Sequence, residues 1–246
     1  MKYLFSLLFL TFGMSPALRA GQIVEYQVGD LEYSGYYSSA GEETPLVLLL
    51  HDWDGLTDYE MKRADMLVEQ GISVFAADLF GKGIRPTELK DKREHTEELY
   101  TNRDKLRTLL QGALQAAAAQ GASLENTVVM GYCFGGAAAL EFARAGFNSK
   151  GVVTFHGGLG TPEGQNYENN KGKILVFHGT ADTLIPMEDF AGLAVELEQA
   201  QVPHELISYG GVPHSFPVFG GEAYREEADQ QSWSRFLRFI REVSTP

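Results

Sequence analysis

The chain has one cysteine, Cys133, in 246 residues. An intrachain disulfide is therefore excluded, and stability has to come from a packed core alone. Cations are scarce as well: 20 lysines and arginines stand against 33 aspartates and glutamates, for a formal net charge of −13. That balance argues against nucleic acid or an anionic membrane as partner, because both are polyanions. Long apolar runs are missing too, since the longest, from Tyr3 to Phe12, falls well short of the roughly 20 residues a membrane span needs. With no H-E-x-x-H and no paired cysteines, the spacing supports no metal site.

What is present begins with MKYLFSLLFLTFGMSPALRA, which has one lysine, a short apolar run, Gly13 and Pro16 as breakers, and a small residue at Ala20. The pattern reads as a signal peptide over residues 1–20, which implies export to a periplasm or the medium, with no membrane attachment after cleavage. Loss of Lys2 and Arg19 takes the net charge of the remaining chain to −15. Residues 21–246 are of a size for a single domain, with a monomer as the default state.

IVEYQVGDLEYSGYYS alternates around Gly29-Asp30 and predicts an antiparallel hairpin. LVLLL (46–50), ISVFAADL (72–79), TVVMG (127–131), GVVTFHG (151–157), KILVFHG (173–179) and HELISYG (204–210) are mostly continuous apolar runs, which suit a parallel sheet covered on both faces. Helical stretches separate them. Thr57 and Glu60 have capping-box spacing, Leu56 and Met61 can staple, and Gly71 can end that helix. The segment from about Thr87 to Gln120 is helix-prone and polar until LLQGALQAAAAQ; further helices follow Cys133 and Pro186 and close the chain. This order predicts an α/β, doubly wound and mostly parallel sheet, with its site at the carboxyl ends of the strands.

GYCFGG (131–136) fits G-x-nucleophile-x-G between a strand and a helix. Such a turn strains the central residue and lifts its side chain out of the sheet, at a helix amino end that favours a thiolate. The bland alternative is a small buried hydrophobe. Downstream, Asp182 in HGTADTLIP and His214 in GGVPHSFP both follow apolar strands, in the order nucleophile, acid, histidine. In that arrangement His214 accepts the thiol proton and Asp182 fixes its tautomer. Two backbone N–H groups for an oxyanion hole come from Phe134 and, in HDWDG after LVLLL, from Trp53. Asp52 and Asp54 beside that hole are costly unless one has a task.

On these motifs the sequence resembles the dienelactone hydrolase family of α/β-hydrolases, whose most specific mark is cysteine in the elbow. The resemblance implies an α/β-hydrolase fold and a Cys133-Asp182-His214 triad that cleaves small esters or lactones through a thioester, without a cofactor. It also assigns Asp52 to pairing with the resting nucleophile, where aspartate is one methylene shorter than the family's usual glutamate. An arginine that grips the substrate carboxylate sits four residues after the family's histidine; here that position is Val218. Arg93 is a candidate second clamp, with a solvated helical charge as its alternative, and His156 and Phe216 are further candidates for substrate contact. A different, neutral substrate is expected. The alternatives are a thioesterase or peptidase on the same scaffold, a non-catalytic binding protein, and a thiol redox sensor.

Overall fold

The computed structural model describes residues 21–244, so the expected signal peptide lies outside the described residues. The hairpin forms as β1 (Gln22–Val28) and β2 (Leu31–Ser38), turning at Gly29 with φ 62°. Then come β3 (Leu46–Leu50), α1 (Asp58–Val68), β4 (Ser73–Ala77), α2 (Leu89–Thr101), α3 (Arg103–Ala119), β5 (Thr127–Tyr132) and α4 (Phe134–Arg144). The remaining elements are β6 (Gly151–Phe155), β7 (Lys173–Gly179), α5 (Met187–Gln199), β8 (His204–Tyr209) and α6 (Glu226–Ser244). Eight strands make one sheet in the order β1-β2-β4-β3-β5-β6-β7-β8. β2 is antiparallel to both neighbours and every pairing from β4 to β8 is parallel.

LVLLL shows why the continuous runs belong in the middle of this sheet. All five side chains are fully buried, but period-2 alternation sends Leu46, Leu48 and Leu50 to the face under α3 and α4, and Val47 and Leu49 to the face under α1 and α6. Truncating one of these leucines to alanine is worth about 2–5 kcal/mol of lost stability. Among the described residues no helix is long and apolar enough to cross a membrane.

The polar segment after Thr87 forms two helices where the sequence suggests one stretch. Asn102 divides them: its backbone leaves the helical region (φ −105°, ψ 76°), and its side chain accepts from the Lys105 N–H at 3.0 Å, capping α3.

The capping box on α1 is present in both arms, with the Glu60 carboxylate accepting from the Thr57 N–H and Oγ1 at 2.8 Å each. Glu60 is fully buried, and burial, against the bonds from Thr57, raises its carboxyl to about 7. A carboxyl whose folded pKa lies above its unfolded value binds more protons folded, so stability falls as pH rises from about 4.5 to about 7. Glu60→Gln is expected to flatten that decline, worth on the order of 2–4 kcal/mol. Urea unfolding of both proteins at pH 5 and pH 8 checks it; an equal loss in the two would acquit Glu60.

Candidate active site

β5 delivers Cys133 into a turn that only glycines allow. Cys133 takes φ 48° and ψ −112°, a strained conformation for a residue with a Cβ, and caps α4. A Cβ at Gly131 would lie 2.1 Å from the Gly135 carbonyl oxygen, one at Gly135 2.2 Å from the Leu50 carbonyl oxygen, and one at Gly136 2.3 Å from Thr154 Oγ1. The glycines thus bring the start of α4 against the end of β3, and the HDWDG loop beside the thiol. The Phe134 N–H points at Cys133, and among the described residues the Trp53 N–H donates to no protein acceptor.

His51 anchors that loop from inside. Its Nε2 accepts from the Leu79 N–H at 3.1 Å, which puts the ring proton on Nδ1, where it donates to the Asp52 carbonyl at 2.6 Å. Burial holds the ring neutral by lowering its pKa.

From β7 and β8 come the loops that carry Asp182 and His214. His214 Nδ1 donates to Asp182 Oδ2 at 2.7 Å, and its Nε2 lies 3.2 Å from Cys133 Sγ. The other Asp182 oxygen accepts from the N–H groups of Leu184 and Ile185 at 2.8 and 3.0 Å. Burial works to raise this carboxyl, but the His214 bond and the two amides outweigh it and hold it below the usual carboxylate range. Such an acid keeps His214 in one tautomer, with Nε2 free to take a proton.

The resting nucleophile is a thiol. Burial, then the charge of Asp52, push Cys133 up to about 12. Asp52 makes no hydrogen bond to Cys133; its Oδ1 accepts from the Asp54 N–H at 3.1 Å, and burial together with Asp54 and Glu60 raises its own carboxyl well above the usual value. Its influence on sulfur is a field. Asp52→Asn is expected to lower the thiol pKa by about half to one pH unit and so to speed iodoacetamide alkylation about three- to tenfold at pH 9. An unchanged rate would take Asp52 out of the activation of sulfur.

The substrate-contact candidates fare differently. Phe216 is fully buried, packed 6.1 Å from His156 and 5.6 Å from Tyr209 between ring centroids, and holds up the His214 loop from the core, so it is no substrate wall. Arg93 is exposed on α2, whereas its neighbour Lys92 turns inward, 3.8 Å from Asp54 Oδ2 and 5.3 Å from the centre of the Trp53 ring. The signal for Lys92 was in the periodicity, because it shares the inward stripe with Thr96 and Leu99, and Arg93 is one position off it. Val218 is half-buried in the turn after His214. His156 is buried at φ 42°, with Nδ1 3.4 Å from His214 Nε2. Tyr100, not singled out by sequence, stacks edge-on against Phe134 at 5.4 Å and lies near enough to the thiol to feel its charge. His178 stacks on Phe190 at 5.4 Å, outside the triad.

Sheet order, elbow and loop placement together define an α/β-hydrolase with cysteine at the nucleophile position. The profile described as the dienelactone hydrolase family matches residues 34–244, and the chain belongs to that family. It is 23% identical over 222 residues to a protein of Synechocystis named "Putative carboxymethylenebutenolidase", covering 84% of this chain and 90% of that one. Among solved structures, a dienelactone hydrolase-like promiscuous phosphotriesterase from metagenomic libraries superimposes with a TM-score of 0.84 at 27% identity, covering 92% of this chain and 98% of that one. A structure called m3DLH gives the same TM-score and coverage at 29% identity.

Proposed function

We propose that the protein hydrolyses small neutral esters or lactones through a thioester at Cys133. The observation that carries this is the alignment of Sγ, His214 Nε2 and Nδ1, and Asp182 Oδ2 at successive separations of 3.2 and 2.7 Å. Sγ attacks the carbonyl carbon as its proton passes to His214 Nε2, and the Asp182 charge stabilises the imidazolium. The oxyanion is held by the N–H groups of Phe134 and Trp53. His214 returns the proton to the leaving alkoxide; it then takes one from a water that attacks the thioester, and the acid departs as the thiol re-forms.

Val218 in place of a cation removes one grip on a substrate carboxylate, which supports a neutral substrate. The promiscuous phosphotriesterase relative supports a second, slower activity on neutral triesters, whose tetrahedral phosphorus uses the same nucleophile and N–H donors. The test is a panel of neutral lactones, activated esters, an anionic dienelactone and an aryl phosphotriester. Higher kcat/KM on the neutral esters and lactones is the expected result. Preference for the anionic lactone would overturn the neutral assignment and turn attention to Lys92; no turnover of any member would overturn the reading. We further propose that residues 1–20 direct export, which mass spectrometry of the product from the native host would check by a chain starting near Gly21.

A further inference from the structure

We propose that Cys133, His156 and His214 form a three-ligand site for a borderline-soft divalent cation, Zn²⁺ above all, and that the bound ion blocks the thiol. Sγ and one nitrogen from each ring lie within 4.8 Å of one another. Two of the three edges are 3.2 Å (Cys133 Sγ to His214 Nε2) and 3.4 Å (His214 Nε2 to His156 Nδ1). Tetrahedral zinc with Zn–S of about 2.3 Å and Zn–N of about 2.0–2.1 Å sets its ligand atoms about 3.3–3.6 Å apart. Both of those edges stand close to that spacing, and three protein ligands leave tetrahedral zinc a fourth coordination position.

One outer contact matches as well. His214 donates its other ring N–H to Asp182, the carboxylate–histidine arrangement that orients a ligand ring and raises its basicity. His156 is fully buried and presents Nδ1, the atom that would ligate, toward His214; its Nε2 has no partner among the described residues, so the Asp182 bond behind His214 is the outer contact that orients the site. Nothing in the hydrolytic cycle requires this second histidine at the base. Asp182, which the His214 bond and two amides hold ionised, puts negative charge near the sulfur; this disfavours a bare thiolate and favours a dication. On binding, the Cys133 proton leaves to solvent and sulfur takes the metal in its place. The site is reached from the side of Cys133 and His214, since the His214 side chain is 13% exposed and Cys133 is partly so, while His156 forms its buried floor. A rival set, Asp52, Asp54 and Glu60, offers only oxygen and is already engaged by Lys92 and Thr57. It suits harder ions.

The test uses metal-free protein and does not depend on which substrate is turned over. Co²⁺ titration is expected to give one equivalent with tetrahedral visible bands and a sulfur-to-cobalt charge-transfer band. Zn²⁺ should protect Cys133 from iodoacetamide, with EDTA reversing the protection. His156→Asn, chosen because asparagine tolerates positive φ, should weaken the Zn²⁺ midpoint for protection by about tenfold or more, since loss of even an outer-shell partner costs about tenfold. His156→Phe keeps the ring volume if the asparagine variant misfolds. A cobalt spectrum without the sulfur band, or protection that is equal in a folded His156 variant, would overturn the proposal.

Discussion

Cys133→Ala is expected to lose hydrolysis by about four orders of magnitude or more in kcat/KM, leaving only what oxyanion donors and binding supply to water. No second thiol exists to substitute for it. The fold should hardly notice. Alanine keeps the Cβ and therefore the same strain at φ 48°, while the bond from the Cys133 N–H to the Phe155 carbonyl at 3.0 Å does not involve the side chain. A stability change of about 1 kcal/mol or less follows from the loss of one sulfur. Stopped-flow hydrolysis on the best neutral ester and urea unfolding of both proteins check the two halves. A variant that stays active would move the chemistry to another group; one that unfolds would make Cys133 a packing residue, the bland alternative its sequence allowed.

Much of the fold was legible because local signals agreed with the tertiary outcome. Continuous apolar runs marked the doubly covered strands, Gly29-Asp30 marked the hairpin, and Thr57 with Glu60 marked the start of α1. The turn around Cys133 was legible for a related reason, since the glycines there answer to collisions with backbone atoms that no other residue avoids. Side-chain direction was harder. Arg93 and Lys92 differ by one position, and only the rotation of a 3.6-residue period sends lysine inward. Phe216 follows the histidine closely in sequence but turns into the core beneath it. The approach of His156 to His214 joins residues 58 apart on two different strand ends, a contact that no spacing rule encodes. Asn102 was missed because its neighbours are good helix formers, and the cap is a single side-chain bond.

Arg63→Met should cost about 3–5 kcal/mol of stability, because it leaves a buried carboxylate without its partner. Arg63 in α1 is 1% exposed and forms an ion pair with Asp229 of α6, whose carboxyl burial raises against the pull of that guanidinium. The same group donates to the Pro217 carbonyl at 2.7 Å and lies over the rings of Phe219 and Trp233 at 4.1 and 4.8 Å. Pro217 is three residues beyond His214, so one side chain ties two helices to the loop that carries the base. Melting should fall by about 6–20 °C for a domain of this size. Activity should also fall at temperatures where the variant is fully folded, since a shift of about 1 Å in a catalytic group can cost about a hundredfold. The double variant Arg63→Met/Asp229→Leu separates the two effects. Removing both charges should restore most of the stability, as apolar replacements of buried pairs often do. The Arg63 bond to Pro217 stays lost and, among the described residues, only the Tyr59 hydroxyl, at 3.1 Å, still holds that carbonyl, so kcat should remain low. Full recovery of both would reduce Arg63 to a stabilising residue; recovery of stability alone would show that α1 positions the histidine.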